Sequence, residues 1–219
     1  MTRVGLSLMI CAVAWMPSSA QAPDWTALTS VLHQSVLRVV MQNAAGQGAC
    51  SAVVFDITKD GRAHALTAAH CVAADPNVRL DVTVDGRAAR TMVSNTILDL
   101  AVVQFRPSGI TSTVPLAKAT PVAGAPVIAA GYAFGVEDIV YQFGHVAQTR
   151  NRETKALWVN MDILFGDSGG GIFDAQGRLI GVTSFIYSRG PAHIGGAVSI
   201  EDVAQFIDDY RDRLKDLQP

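Results

Sequence analysis

The sequence predicts an all-β fold, a barrel or sandwich arrangement in two halves, closed by a C-terminal α-helix. Three observations predict it. Short β-rich runs alternate with turn residues from Val36 onward, a proline-rich segment from Arg106 to Pro126 divides these runs into two sets, and an apolar stripe at helical spacing ends the chain. Many short strands at this spacing are typical of barrels and sandwiches.

Turn residues separate the predicted strands. The dipeptide Asp85-Gly86 and the tripeptide Lys59-Asp60-Gly61 are hairpin signals in the first half, and residues 174–177 form a tight-turn signal in the second. The predicted strands of the first half are 36–41, 49–56, 63–67, 78–84, 91–93 and 100–105. Those of the second half are 127–130, 141–148, 156–160, 169–173, 178–187 and 194–199.

Two helices are predicted outside the strand sets. Asp24 is a suitable N-cap for a short amphipathic helix that begins at Trp25, which we expect to act as a lid or plug. A second helix over 200–217 has Ser199 as its cap, acidic residues in its first turn and basic residues in its last, in agreement with the helix dipole. Its apolar stripe favours docking on the second half, and a membrane-surface role is the alternative.

The first 22 residues have the layout of a secretory signal peptide. Arg3 gives a positive start, residues 4–16 are almost wholly apolar, and the small residues up to Ala22 offer a cleavage site. This apolar run is well short of the ~20 residues that a spanning helix needs, so a retained anchor is the weaker alternative. Lipid attachment at Cys11 is disfavoured because Ile10 precedes it. We expect a mature chain, residues 23–219, that is secreted or periplasmic and has no stable membrane anchor.

Composition narrows the function class. The chain has 219 residues, a formal net charge of −2 and 49% hydrophobic residues, which suits a globular enzyme with a substantial core. There is no basic footprint of the kind that binds nucleic acid, so we expect no nucleic-acid partner. The sequence does not determine the oligomeric state.

Cysteine usage agrees with export. Removal of the signal peptide takes Cys11 with it and leaves Cys50 and Cys71, an even number in a compartment that permits disulfides. We expect these two to be bonded, which would stabilise the fold by about 3 kcal/mol in the chain-entropy model. Two unpaired buried thiols are the alternative.

Three separate segments carry candidate chemistry. The glycine-rich run 166–171 contains Ser168, and glycines let a backbone bend closely around a substrate and aim N–H groups at a developing oxyanion. His70 follows a strand end and is next to Cys71, which can hold it in place. Asp99 begins an apolar strand, where a buried charge is costly unless it has a partner such as a histidine N–H. Taken singly, each of these residues has an ordinary structural explanation.

Taken together, the segments resemble the chymotrypsin/trypsin family of serine proteases, and its bacterial members in particular. The residues TAAHC at 67–71, DLA at 99–101 and GDSGG at 166–170 match the family's motifs, in the family's order. The resemblance covers most of the mature chain. It implies two antiparallel six-stranded β-barrels, a first at about 36–106 and a second at about 127–199, joined by a connector at about 107–126.

The resemblance also implies a mechanism. Ser168 is expected to be the nucleophile, His70 the general base and Asp99 the residue that orients the imidazole, with the backbone N–H groups of Gly166 and Ser168 as the oxyanion hole. A protein or peptide substrate is implied, and no cofactor or metal is needed. The other histidines, His33, His64, His145 and His193, lack metal-ligand spacing, and we expect surface or satisfied strand positions for them.

Four residues are expected to bind substrate. Ser184 matches the family's strand that pairs with the substrate backbone and also donates to the acid, and Phe185 beside it is expected to line the groove. Asp162, six residues before the nucleophile, corresponds to the base of the family's primary specificity pocket, where a buried carboxylate favours Lys or Arg. Gly196 fits a wall of that pocket. Leu164 and Ile186 depart from the family pattern there, so the carboxylate could instead point away and act as a structural anchor.

Activation is a second departure. Animal members of the family mature by cleavage before an Ile-Val-Gly-Gly-like start, whose new amine pairs with the Asp before the nucleophile, and no such start precedes Val36. Asp167 is therefore expected to find another partner or to remain near solvent. Two other function classes remain open: a catalytically silent binding protein with this fold, and a serine esterase of narrow specificity.

Overall fold

The computed structural model describes residues 23–73, 79–109, 111–149, 156–189 and 192–216, with the side chains of 186–193 left out. The predicted signal peptide lies outside these residues. The elements are α1 Trp25–Leu32, β1 Val36–Asn43, β2 Gly46–Ile57, β3 Ala63–Thr67, α2 Ala69–Val72, β4 Asp81–Val84, β5 Arg87–Asn95, β6 Leu100–Phe105, β7 Pro126–Gly131, a 3₁₀ turn Ala133–Gly135, β8 Val140–Gln148, β9 Ala156–Val159, β10 Gly171–Asp174, β11 Leu179–Arg189, β12 Ala192–Ser199 and α3 Ile200–Asp216.

The strands form two closed antiparallel barrels. The first has the order β1-β2-β3-β6-β5-β4, and the second has the order β10-β11-β12-β9-β8-β7. Each contains six strands, so the predicted fold of two six-stranded antiparallel barrels with a C-terminal helix is confirmed. Because each barrel is closed, every strand has a hydrogen-bonded neighbour on both sides over at least part of its length, which explains how so many short strands can form a stable unit.

Alternating apolar residues fill the barrels and the junction between them. In the first barrel Leu66 of β3 pairs with Val102 of β6, and both are fully buried. A continuous core joins these residues to Ile128 and Phe173 of the second barrel. Because one core spans both barrels, burial of apolar surface fixes how one barrel sits on the other.

The N-terminal helix packs against the second barrel. Asp24 caps it by accepting a hydrogen bond from the backbone N–H of Ala27 at 3.1 Å, as predicted. Trp25 meets the ring of Phe143 on β8 edge-on at 5.7 Å, and the Tyr141 hydroxyl donates to the Thr29 carbonyl at 2.9 Å. These two contacts attach the short helix to β8.

The C-terminal helix contacts both barrels. It packs on β11 and β12 of the second barrel. Farther along the helix, the Tyr210 ring lies 5.5 Å from His64 and 6.4 Å from Phe55 in the first barrel. His64 is buried, with its Nδ1 at 3.3 Å from Asp56, so it occupies a satisfied strand position. In the described part of the chain, no helix combines the length and apolarity that membrane crossing requires.

Most predicted strands differ from the observed ones by a few residues at one or both ends, and two of these differences have a clear physical cause. The strand predicted at 169–173 begins at Gly171, because residues 166–170 form a turn instead. The strand predicted at 91–93 extends over Arg87–Asn95. It contains a bulge between Thr91 and Val93, which interrupts the alternation by which a strand is recognised in a sequence.

Candidate active site

The imidazole of His70 is presented by a short helix at the end of a buried strand. All five residues of β3 are buried, and α2 begins two residues after its end and carries His70. The Cys50–Cys71 disulfide ties this helix to β2, which confirms the predicted pairing. The hydroxyl of Thr67 donates to the Ser51 carbonyl at 2.8 Å and ties β3 to the same strand. About half of the His70 side-chain surface is exposed, so the ring is accessible from the cleft.

Asp99 faces this imidazole from the start of β6. Its backbone has a φ of +56°, a left-handed conformation that Asp tolerates better than most residues and that recurs at functional sites. The preceding turn is closed by the Asn95 carboxamide oxygen, which accepts from the N–H groups of Ile97 and Leu98 at 3.0 Å each. This turn delivers the carboxylate to the cleft.

Hydrogen bonds from two residues hold the Asp99 carboxylate. His70 Nδ1 lies 3.0 and 2.9 Å from its two oxygens, and the His70 backbone N–H donates to Oδ1 at 2.9 Å. The Ser184 hydroxyl donates to Oδ2 at 2.5 Å. Burial alone would raise the pKa of Asp99, but the hydrogen bonds from His70 and Ser184 hold this pKa below its ordinary value. The hydrogen bond between His70 Nδ1 and Asp99 raises the pKa of His70 above its ordinary value, against the effect of burial.

Ser168 lies in a loop of the second barrel that is hydrogen-bonded to the first. We call residues 164–170 the nucleophile loop. The Ser168 carbonyl accepts from the Ser51 backbone N–H at 2.8 Å and lies 3.8 Å from the Cys71 sulfur, next to His70. A Cβ atom at Gly169 would lie 2.3 Å from the Ser51 carbonyl oxygen, so only glycine permits this contact. Within the described residues, no hydrogen bond joins the Ser168 hydroxyl to His70; such bonds are often long in unliganded enzymes.

The backbone of the nucleophile loop has an unusual conformation at Gly166. This residue has a φ of +98° and lies within a turn in which the Asp167 N–H donates to the Leu164 carbonyl at 3.0 Å. The Phe165 carbonyl accepts from Phe134 N–H, so the Gly166 N–H in the same trans peptide points the opposite way. Among the described residues, neither the N–H of Gly166 nor that of Ser168 has an acceptor, which leaves both available to a ligand.

Asp167 is buried, so of its two expected outcomes, another partner or a position near solvent, the structure shows the first. It is 1% exposed and has found another partner in Gln142 on β8, whose side-chain N–H donates to Oδ2 at 2.8 Å. The Leu164 backbone N–H donates to the same oxygen at 2.8 Å. Burial raises the pKa of Asp167 above its ordinary value, against these two hydrogen bonds.

Three further residues that sequence reasoning missed position the loop. Thr183 on β11 donates from its hydroxyl to the Asp167 carbonyl and from its backbone N–H to the Gly170 carbonyl at 2.9 Å. Ser51 donates from its hydroxyl to the Gly166 carbonyl at 2.8 Å. Like Gln142, these are ordinary polar residues in strands, and no local signal in the sequence marks them; Ser51 and Thr183 are buried, and Gln142 is half-buried.

The predicted specificity residues do not form a pocket with a buried carboxylate. Asp162 is exposed, so the buried charge that a Lys or Arg preference requires is absent at this residue. A Cβ atom at Gly196 would lie 2.3 Å from the ring of Phe185, which explains the glycine by packing of that ring. Phe185 itself lies beside Trp158, edge-on at 6.1 Å, and is 37% exposed toward solvent. The side chain of Ile186 lies outside the description.

One cluster has the composition of a metal site. Among the residues that the structure describes, Cys50, His70 and Cys71 bring ligand atoms within 4.8 Å of one another. The two sulfurs are bonded to each other, so neither is a thiolate and the cluster does not offer zinc its usual ligands.

Comparison with known proteins agrees with this geometry. A family model described as a trypsin-like peptidase domain matches residues 50–182. The serine endoprotease DegS of Salmonella typhimurium (strain 14028s / SGSC 2262) is 24% identical over 165 residues, covering 69% of this chain and 46% of DegS. The chain therefore spans about half the length of this relative.

A solved structure supports the fold independently. The crystal structure of the serine endoprotease from Yersinia pestis superposes with a TM-score of 0.71 at 19% identity, over 87% of this chain and 67% of that one. The match of the family model covers more than half of the sequence and includes His70, Asp99 and Ser168. The chain belongs to the trypsin-like peptidase family.

Proposed function

We propose that this protein is an exported serine endopeptidase, secreted or periplasmic, that hydrolyses peptide bonds in proteins or peptides through Ser168, His70 and Asp99. The observation that carries this proposal is the Asp99 carboxylate, which receives hydrogen bonds from His70 Nδ1 and Ser184 and so fixes the ring next to the nucleophile loop. Such a network is costly to desolvate and is typical of a catalytic centre.

The chemistry follows from the placement of each group. A carboxylate at Nδ1 keeps the proton on that nitrogen and leaves Nε2 of His70 free to accept the proton of Ser168 as its hydroxyl attacks the scissile carbonyl. The imidazolium that forms is stabilised by Asp99 and then gives its proton to the leaving amine. The N–H groups of Gly166 and Ser168 receive the negative charge on the carbonyl oxygen, and loss of one such donor typically costs about 10²–10³ in kcat.

The surroundings of His70 suit a peptide better than a small ester. A cavity of about 370 Å³ adjoins the imidazole and is lined by residues of β1, β2 and α2, such as Met41 and Gln47, and by Leu80 just before β4. Since His70 protonates the leaving amine, this cavity lies where the residues after the cleaved bond would be held. Phe185 and Ser184 would flank the residues before it, on the exposed edge of β11.

Export is supported by the leader pattern of residues 1–22 and by the Cys50–Cys71 disulfide, which persists in oxidising compartments. Fractionation of the native host, followed by mass spectrometry of the N-terminus, tests it. We expect a mature start near residue 23 in the medium or periplasm, and an intact Met1 in the cytoplasm would contradict it.

Covalent labelling tests the nucleophile. We expect a fluorophosphonate probe to label the mature protein at Ser168, the Ser168→Ala variant to remain unlabelled, and Ser108→Ala, a matched change at an exposed serine, to be labelled normally. A folded protein that resists the probe would favour a silent binding protein. A labelled protein that cleaves simple esters but no peptide would favour the esterase alternative.

Cleavage of a diverse peptide library, with the cut sites identified by mass spectrometry, tests the substrate class. Because Asp162 is exposed, we expect no enrichment of Lys or Arg before the cut, and we expect the same profile from Asp162→Asn. Enrichment of Lys or Arg that disappears in this variant would restore the original assignment of Asp162.

A further inference from the structure

We propose that Asp167 works as an uncharged carboxylic acid, paired with the Gln142 carboxamide through two hydrogen bonds, and that this pair holds the nucleophile loop in its competent shape. The inference rests on the proposed function for its catalytic meaning. The pairing itself is a property of the fold and can be measured without turnover.

Two unsatisfied atoms point to this arrangement. Among the described residues, Asp167 Oδ1 and Gln142 Oε1 are both buried and have no hydrogen-bond partner, although the other polar atoms of these two groups, Oδ2 and Nε2, are 2.8 Å apart. A buried acceptor left unpaired is destabilising, because it loses its hydrogen bonds to water and gains none within the protein. One proton on Oδ1, donated to Gln142 Oε1, would satisfy both atoms and close a cyclic acid–amide pair.

In the part of the chain that the structure describes, no other donor reaches Asp167 Oδ1. A Cβ atom at Gly131 would lie 2.7 Å from Asp167 Oδ1 and 3.1 Å from the Ser51 hydroxyl oxygen. Both oxygens therefore lie beside Gly131, which makes the Ser51 hydroxyl the nearby group to consider as a donor. The Ser51 hydroxyl already donates its proton to the Gly166 carbonyl and accepts from the Tyr132 N–H at 2.8 Å. Exchange of the Gln142 amide atoms is disfavoured, because it would set Oε1 against Oδ2, which also accepts from Leu164 N–H.

Charged partners are also missing around the carboxyl. The titratable side chains on the adjoining elements are Arg38 on β1, Tyr132 after β7, Tyr141 and His145 on β8 and Asp174 on β10, together with His70 and Asp99 across the cleft. In the described part of the chain none of them hydrogen-bonds Asp167. Desolvation without a positive partner favours the neutral acid, in agreement with the raised pKa of Asp167.

The pair has a mechanical consequence. The Asp167 carboxyl is fixed to Leu164 N–H at one end of the nucleophile loop and to β8 through Gln142. The peptide units between Leu164 and Ser168 carry both proposed oxyanion donors, so their orientation depends on this anchor. No new amino terminus is required for it, which agrees with the absence of an Ile-Val-Gly-Gly-like start before Val36.

Thermal melting from pH 4 to 9 in a Ser168→Ala background tests the proton without catalysis. A neutral acid stabilises the fold fully below the unfolded value of 3.8 and loses its contribution as pH rises through the raised folded pKa. Since an asparagine amide reproduces both hydrogen bonds and never ionises, Asp167→Asn should melt increasingly above its parent as pH rises. Asp174→Asn is the matched control, because that buried carboxylate has Arg178 as an ionic partner at 2.7 Å.

The test variant and its control have opposite expected outcomes. Asp174→Asn should lower the melting temperature at pH 7, because it removes one half of an ion pair. Asp167→Asn behaving in the same way at pH 7 would overturn the proposal, since it would mean that the carboxyl is an anion in the folded protein. A melting difference that does not change with pH would also overturn it.

Kinetics test the positioning role separately. Gln142→Met should lower kcat at least tenfold with little change in KM, while Gln205→Met, at an exposed glutamine on α3, should not. If loss of the Asp167 proton lowers kcat of the parent at alkaline pH, this decline should be absent in Asp167→Asn. Its persistence in that variant would overturn the positioning role of Asp167. Failure of the fluorophosphonate to label Ser168 would contradict the proposed function, but the melting experiment would still test whether Asp167 is paired with Gln142 as a neutral acid.

Discussion

Replacing Asp99 with Asn is the sharpest single change at the proposed site, because it alters one atom and one charge. The Asp99 Oδ1 atom accepts from both the backbone N–H and Nδ1 of His70, whereas Oδ2 accepts from Nδ1 and from the Ser184 hydroxyl. The asparagine oxygen will keep the Oδ1 place, since a backbone N–H can only donate. The new NH₂ group then faces His70 Nδ1.

A donor at that place reverses the tautomer of the ring. His70 Nδ1 becomes an acceptor, the proton moves to Nε2, and Nε2 can no longer take the proton of the Ser168 hydroxyl. We expect kcat/KM to fall about 10⁴-fold, which is the typical loss when the Asp of a Ser-His-Asp triad is replaced by Asn. At 1.36 kcal/mol per tenfold this is about 5.4 kcal/mol of transition-state stabilisation.

The measurement is kcat/KM on a peptide that the library identifies, together with circular dichroism to establish folding. Asp85→Asn is a matched control, because Asp85 also has a left-handed backbone, with a φ of +48°, but lies in the β4–β5 turn. It should retain full activity. A folded Asp99→Asn protein that loses less than tenfold would refute the assignment of Asp99 as the residue that orients the imidazole.

Three other outcomes are expected. Ser184→Ala should lower kcat/KM about tenfold, since one hydrogen bond to a charged group contributes roughly 1.5–3 kcal/mol; an unchanged value would show that the contact is structurally incidental. The acid limb of the kcat/KM profile should have a midpoint above 6.5, because activity needs neutral His70 and its pKa is raised; a midpoint at or below 6.5 would contradict this. Reduction of the Cys50–Cys71 disulfide should lower the free energy of unfolding by about 3 kcal/mol in urea melts; full stability after reduction would contradict it.

The strands and the proposed triad were predictable because both leave local signals. An apolar strand such as β3 or β6 is recognisable from five or six residues, and each of the three family motifs is a short uninterrupted run of residues. Their order along the chain added information that no single motif carries. The confirmed disulfide followed from counting cysteines after removal of the leader, again without knowledge of distant contacts.

What could not be predicted depends on strand register. A bulge between Thr183 and Phe185 shifts the alternation of β11, so period-two patterning does not give the side to which Ser184 turns, and its expected contact with Asp99 came from the family resemblance alone. Gln142 is one of several polar residues on β8, and nothing local distinguishes it from the exposed ones. The exposure of Asp162 likewise depends on the path of the loop after β9, which has no periodic pattern.

The nucleophile loop is hydrogen-bonded to both barrels, and this explains how the proposed triad, which is divided between them, can be held precisely. Ser51 of the first barrel donates to the loop twice, from its backbone to the Ser168 carbonyl and from its hydroxyl to the Gly166 carbonyl, each at 2.8 Å. Thr183 and Gln142 hold the same loop from the second barrel. A displacement of about 1 Å can cost 10²-fold in rate, and apolar packing is non-directional. Directional bonds from both sides therefore set the position of Ser168, and the shared core supplies the stability that keeps those bonds in place.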